Sequence, residues 1–253
     1  NKISFTTLIT SLANIGDYEN ILRIYQETPS HEEVCLVANM AVTGSIARAA
    51  LELDDEETLM SVLEQFCSTH FSTNREREKQ RDALELCNNV LAKKSKEGAY
   101  EKAVQVMQLF ERHGVTASED SFAFLVLSCK MPGLWQEAMA IVETYKKSRG
   151  RGSIKVFSAC ISVLVEAKQW QEALSILDQM EREGVTPNEV TYNSAIEALD
   201  ASSEFVRAEL VFRSALRSEG VYSDWLIQPS SSKALMLDLH RLPVAVARAA
   251  VMH

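Results

Sequence analysis

Five cationic side chains fall within a short stretch of this chain, Lys146, Lys147, Arg149, Arg151 and Lys155, and together they could hold phosphate groups or an acidic partner. The same cations are also what a helix C-terminus favours through its dipole, with no ligand required. A second set, His31 with Cys35 and Cys67 with His70, would suit a two-Cys, two-His zinc ion if two helices ran antiparallel. None of the standard zinc spacings occurs, and cysteine is commonly buried as a small hydrophobe, so no metal is expected. Trp135 and Trp170 could serve as stacking platforms for bases, but their equivalent positions at the start of two helices predict hairpin packing instead. No Walker loop, GxGxxG, GxSxG or HExxH motif is present. The residues therefore predict no enzyme chemistry of an ordinary kind, no cofactor and no small-molecule substrate.

These side chains must be positioned by helices. The chain has 253 residues, 46% hydrophobic and 24% charged, with only 9 Gly and 5 Pro, which suits helices joined by short turns. Its five cysteines, Cys35, Cys67, Cys87, Cys129 and Cys160, are widely spaced and contain no CxxC pair, so a reducing compartment is expected. No apolar run approaches the roughly 18 residues of a membrane span. The chain opens at Asn1 without methionine and is read as a fragment whose targeting segment is not visible. Of its net charge of −9, residues 1–83 carry 14 acids against 7 bases, and residues 84–253 carry 21 against 19. An acidic chain is a weak advertisement for nucleic acid, since Lys and Arg supply most of that affinity.

A period of 35 residues organises the middle of the sequence. Ala103, Ala138, Ala173 and Ala208 keep it, the second and third within identical Trp-Gln-Glu-Ala tetrapeptides beginning at Trp135 and Trp170. Phe122, Phe157 and Tyr192 keep it too, as do Leu91, Val126, Ile161 and Ile196. Within a unit the apolar residues fall into two helical blocks, for example Phe157, Cys160, Ile161, Leu164 and then Ala173, Leu174, Ile176, Leu177, Met180. Each unit is thus a helical hairpin whose second helix ends at glycine, as at Gly114 and Gly184. A single hairpin cannot bury both faces, so the units must stack, and the terminal ones should be atypical. The predicted fold is all-α, a right-handed α-solenoid of antiparallel helix hairpins, with a short strand near the C-terminus. The units are 84–118, 119–153, 154–188 and 189–224. Residues 1–30 form one more hairpin, and residues 31–83 form a degenerate helical repeat, with helices near 32–53 and 55–71 joined at Asp54-Asp55 and a charged stretch leading on from Asn74 to Asp82. Residues 225–253 are a linker and a separate terminal segment.

Val190-Thr191-Tyr192-Asn193, preceded by Gly184-Val185-Thr186-Pro187-Asn188, resembles the pentatricopeptide repeat family, whose consensus has a VTYN-type helix start and a Gly-hydrophobic-x-Pro-Asp/Asn ending. The tetratricopeptide pattern is absent. The resemblance implies binding of single-stranded RNA in mitochondria or plastids, one base per repeat. It implies reading pairs Asn88 with Ser118, Ala123 with Ser153, Ser158 with Asn188, and Asn193 with Asp224, which by the family's code select C, no defined base, A and U. The family places an aliphatic residue against each base; here Val190 and Ile3 supply it, whereas Glu85, Asp120 and Lys155 stand at the other places. Recognition is therefore expected mainly from the last two repeats.

After Trp225, the stretch Ala234-Leu235-Met236-Leu237-Asp238-Leu239-His240 and the Ala/Val-rich run to His253 resemble the first strand, motif and first helix of the small MutS-related (Smr) domain carried by some pentatricopeptide proteins. That resemblance implies catalytic roles for Asp238 and His240, although Arg241 replaces the family's Gly and about 20 residues cannot make the whole fold. The leading expectation is an organellar RNA-binding protein, plastid before mitochondrion, acting in RNA processing, stability or expression. The competing one is a structural adaptor that braces a ribosome, transcription or photosynthetic assembly through protein contacts.

Overall fold

A computed structural model describes residues 2–28, 40–70, 76–131, 133–218, 221–222, 226–227, 236–237 and 243–252. The chain divides into two compact units, Asn1–Ser121 and Phe122–His253. In the first, α1 (Lys2–Ile15) and α2 (Tyr18–Glu27) make a hairpin, α3 (Met40–Glu52) and α4 (Glu56–His70) a second, and α5 (Glu76–Glu97) and α6 (Tyr100–Arg112) a third. Helix α3 packs on both α1 and α2, and α5 packs on α3 in turn, so hairpin stacks on hairpin. The joint expected at Asp54-Asp55 is there: Asp54 is left-handed (φ 55°), and Asp55 Oδ1 accepts the Thr58 backbone N–H at 3.0 Å to start α4. The charged run from Asn74 is largely the beginning of α5 itself, because its Glu, Lys, Arg and Gln residues are good helix formers with no Gly or Pro among them. The predicted start of the preceding helix near residue 32 lies outside the described residues.

Helix α7 (Glu119–Leu127), continued by a 3-10 turn at Ser128–Lys130, crosses the boundary between the units. The second unit continues with α8 (Trp135–Arg149), α9 (Ile154–Glu166), α10 (Trp170–Arg182), α11 (Glu189–Ala201) and α12 (Phe205–Arg217). Helices α9 with α10 and α11 with α12 form hairpins, and α11 packs against both α9 and α10. The periodic residues lie where the sequence puts them. Ala103, Ala138, Ala173 and Ala208 are all buried, as are Phe122, Phe157 and Tyr192, with Phe122 set edge-on to Tyr145 at 5.2 Å between centroids. The expected left-handed residues close α6 and α10 at Gly114 (φ 79°) and Gly184 (φ 69°). A further register was hidden: the turn inside each hairpin has a left-handed residue at Gly98, Gly133, Lys168 and Ser203, again 35 apart. Lys168 and Ser203 take a conformation that costs an L-residue roughly 1–2 kcal/mol, which no composition rule would assign to them.

Past α12, Leu226–Ile227 (β1) and Met236–Leu237 (β2) pair antiparallel in the register Leu226 to Leu237. This is the short strand expected near the C-terminus. Helix α13 (Val244–Met252) then packs on α11 and α12, the arrangement α11 has on α9 and α10. Ala245, Val246 and Ala249 face inward, and Arg248 reaches Asp200 Oδ1 at 2.8 Å. The helix that sequence likeness tied to an Smr domain thus stacks as one more helix of the repeat array.

Cys67, Cys87, Cys129 and Cys160 are buried, and burial pushes each thiol up to about 12. At pH 8 roughly one in 10⁴ of each is thiolate. In a Cys35→Ser background the four are expected to react with an aromatic disulfide reagent only as the chain unfolds, so that the thiol count rises with the urea transition. Prompt reaction of any of them at zero urea would show that its helix opens locally.

Candidate nucleic-acid interface

The described residues that end the repeat units, Ser118, Ser153 and Asn188, are helix caps. Ser153 Oγ accepts the Val156 N–H at 3.4 Å at the start of α9, and Asn188 Oδ1 accepts the Thr191 N–H at 2.9 Å at the start of α11. Ser118 and Ser121 cap α7 reciprocally, each hydroxyl accepting the other's backbone N–H, at 3.1 and 3.0 Å. A cap at this place is what a helix entry requires, whatever else the residue does.

Two of these caps, Ser118 and Asn188, are joined to their expected reading partners by a hydrogen-bonded chain. Asn88 Nδ2 donates to Ser118 Oγ at 3.3 Å, and Ser121 Oγ donates to Asn88 Oδ1 at 2.6 Å, so both ends of that amide are engaged. Ser158 Oγ lies 2.8 Å from Thr191 Oγ1, which in turn donates to Asn188 Oδ1 at 2.8 Å. Thr191 has one hydroxyl proton, and since it goes to Asn188, Ser158 must be the donor in the other bond. Ser158 keeps acceptor lone pairs, and Asn188 Nδ2 has no partner among the described residues. The bond from a residue to the one 33 positions on recurs in 88 to 121 and 158 to 191. At the corresponding Ala123 and Val156 both side chains are apolar and buried. Beside Asn188, Val190 is 64% exposed, an aliphatic surface open to stacking.

Asn193 is differently placed. Its Oδ1 accepts a hydrogen bond from the Tyr222 hydroxyl, while its expected partner Asp224 lies outside the described residues, as do Asp238 and His240. Glu189 and Glu197 flank it at helical spacing on α11, putting two carboxylates on its stripe.

The five cations are not equivalent. Lys146 is neutralised by Glu143 at 3.1 Å and Glu183 at 2.8 Å. Lys147 and Arg151 make no ion pair among the described residues and border an open cleft of about 500 Å³ with Gly150. Arg149 is exposed at the end of α8, and Lys155 is exposed on α9. Arg207 covers the Trp170 ring at 4.7 Å, so this tryptophan is a packing residue with a cation on its face. Of the zinc-like set, His31 and Cys35 lie outside the described residues and Cys67 is core. Sequence reasoning missed a groove of about 560 Å³ in the first unit, lined by Thr10, Asn14, Ser45, Arg48 and Asn89 of α1, α3 and α5. Its only periodic signal was the weak N-terminal hairpin.

Comparison with known proteins bears on these repeats. Models of the PPR repeat match residues 3–31 and, as the PPR repeat family, residues 153–199. The mouse mitochondrial pentatricopeptide repeat-containing protein 1 is 26% identical over 194 residues, 74% of this chain and 25% of its own length. A chloroplastic pentatricopeptide repeat-containing protein of Arabidopsis thaliana is 33% identical over 96 residues, 36% of this chain and 11% of its own. The chain thus spans about a quarter or less of these relatives. Among solved structures, the pentatricopeptide repeat protein PPR10 in complex with an 18-nt psaJ RNA element superposes with a TM-score of 0.55 at 16% identity, over 84% of this chain and 29% of that one. That likeness is one of fold, a solenoid of helical hairpins. The matched repeat models stop short of the C-terminal segment, so the likeness to an Smr domain stays with the sequence alone. With its 35-residue hairpins, its two segments matched by models of the PPR repeat and its solenoid fold, the chain is similar to pentatricopeptide repeat proteins.

Proposed function

We propose that this chain binds single-stranded RNA inside an organelle, and that base recognition centres on Ser158, Asn188 and Val190. The observation that carries the reading is the ordered hydrogen-bond chain through Thr191, which leaves an acceptor on Ser158 and a donor on Asn188 beside the exposed Val190. An acceptor and a donor side by side complement an adenine edge, with N6–H donating and N1 accepting. An aliphatic side chain next to them gives that base a surface to lie on. Lys147, Arg151 and Lys155 contribute phosphate contacts, and Lys146, held by two carboxylates, contributes least. PPR10, the protein of like fold, is known in complex with RNA, and relatives of both mitochondrial and chloroplastic name support an organelle. The plastid reading draws on the chloroplastic relatives and the mitochondrial one on the mouse protein, and fractionation of tagged protein decides between them. A role in RNA processing or stability follows from binding, with no catalysis assigned to Asp238 or His240.

The decisive variant is Asn188→Asp. Aspartate is as good a cap as asparagine, so α11 should keep its stability. The donor aimed at the base becomes an acceptor, and with Ser158→Ala the site loses two hydrogen bonds of about 1 kcal/mol each, or roughly 30-fold in affinity. Selection from a random single-stranded RNA pool across a salt series should yield a motif with the wild type and lose it with the double variant, whose stability to melting falls only by the worth of the Ser158–Thr191 bond, about 1 kcal/mol. Absence of RNA binding at low salt would sink the reading. It would favour the adaptor instead, for which the carboxylates of Glu189 and Glu197 beside Asn193 and the fully engaged Asn88 amide speak.

A further inference from the structure

Helix α12 ends at Arg217, and beyond it Val221 and Tyr222 are buried against the second unit. Tyr222 is only 1% exposed, its ring lies 5.4 Å from that of Phe212, and its hydroxyl donates to Asn193 Oδ1. Its backbone is left-handed (φ 57°), a conformation an aromatic residue rarely takes and which is held here by the contacts around it. Desolvation, with the nearby charges of Glu189 and Glu197 adding to it, pushes the phenol well above its ordinary range, so the hydroxyl keeps its proton at any physiological pH. In two of the other repeats the equivalent polar side chain is bonded to the start of the next hairpin, Asn88 to Ser118 and Ser121, and Ser158 to Thr191. After the last repeat, among the described residues, it is a tyrosine that makes the bond.

We propose that Tyr222 is a latch over Asn193: the segment after α12 occupies the last repeat's polar position, and RNA gains that position only when the latch opens. The inference rests on RNA reading by these repeats, since without RNA nothing competes with the phenol. Closed, Asn193 has its Oδ1 engaged by the phenol and offers a base chiefly its Nδ2 protons. Opening costs the hydroxyl's hydrogen bond and exposes a ring that packs on Phe212, so the latch lowers apparent affinity by the fraction of molecules in which it is open. The same contact gives the repeat array a way to respond to anything that binds or modifies the chain following α12.

Tyr222→Phe keeps the ring on Phe212 and removes only the hydroxyl. In the intact chain, this variant is expected to bind a random single-stranded RNA pool about two- to tenfold more tightly than the wild type, the worth of one hydrogen bond. Because a packing change could mask that gain, hydrogen exchange on the wild type gives a second reading. Saturation with the selected RNA should speed exchange in the peptide spanning 219–227 while slowing it in α11. Equal affinity of Tyr222→Phe and wild type, or exchange at 219–227 that slows or stays the same on RNA binding, overturns the latch while leaving RNA reading intact. Failure of both proteins to bind RNA at low salt removes RNA reading, and the latch with it.

Discussion

Gly152→Ala is expected to destabilise the second unit by about 3 kcal/mol, the upper part of the range for overpacking a filled site. A Cβ built on Gly152 would stand 2.0 Å from Phe157 Cε2 and 2.3 Å from its Cζ. Neither ring atom can give way, because Phe157 has no exposed surface and fills the space between hairpins at the centre of the 35-residue register. The third near atom, Glu183 Oε2 at 2.8 Å, already accepts the Gly152 N–H at 2.9 Å while the same carboxylate holds Lys146. A methyl group therefore disturbs the core and the cleft together. Urea denaturation followed by far-UV circular dichroism should show a lower midpoint at unchanged slope. Phe157→Leu, itself destabilising, should cost less in the Gly152→Ala background than alone, since the smaller side chain makes room for the methyl. A Gly152→Ala midpoint equal to that of the wild type would mean the loop before α9 sits farther from the ring than described.

Gly152 also shows where the sequence stops being readable. In an Arg-Gly-Ser loop a glycine reads as a turn residue, yet its backbone is not left-handed and its reason is a ring five positions later. The repeat itself was legible because identical spacing of Ala138 with Ala173, or Phe157 with Tyr192, repeats one packing problem and one solution. The turns at Gly98 and Gly133 follow ordinary glycine logic, but Lys168 and Ser203 occupy the same left-handed place without a glycine's freedom. The candidate site residues could be named from the sequence as positions and not as states. Ser158, Asn188 and Asn193 are polar in the sequence, but that Ser158 donates to Thr191, and that Tyr222 bonds to Asn193, depends on contacts 33 and 29 residues apart. The helix α13 was legible as a helix from its Ala/Val run; that it stacks on α11 and α12 depends on tertiary contacts no local pattern records.

The ion cluster around Lys94 went unread for the same reason, and its disruption is the other large effect expected. Lys93-Lys94-Ser95-Lys96 looks like a solvated helix end, yet the Lys94 side chain is 1% exposed. Its Nζ is bonded to Glu56 at the start of α4 and to Glu97 Oε2 at 3.1 Å, and Lys102 of α6 reaches Glu56 at 3.1 Å. One carboxylate thus ties three helices of the first unit. Desolvation alone would lower the Lys94 pKa, but the two carboxylates outweigh it and hold it above the ordinary lysine range. Desolvation would likewise raise Glu56, and Lys94 and Lys102 outweigh it to hold that carboxyl below its ordinary range. The Glu56 contribution is complete above the ordinary carboxylate range and is lost as pH falls through the lowered value; the Lys94 contribution is complete below the ordinary lysine range and is lost as pH rises through the raised one. Stability from the cluster is therefore flat across neutral pH. Glu56→Gln with Glu97→Gln leaves a buried ammonium with no counter-charge and should cost about 3–5 kcal/mol at pH 7. Adding Lys94→Met, an uncharged chain of similar shape, should return most of that loss, because the penalty lies in the orphaned charge rather than in the missing attraction. Denaturation of the three proteins measures it directly: if the double glutamine variant unfolds with the wild type, Lys94 reaches water by another route, and if methionine brings no recovery, the carboxylates serve α4 and α6 without it.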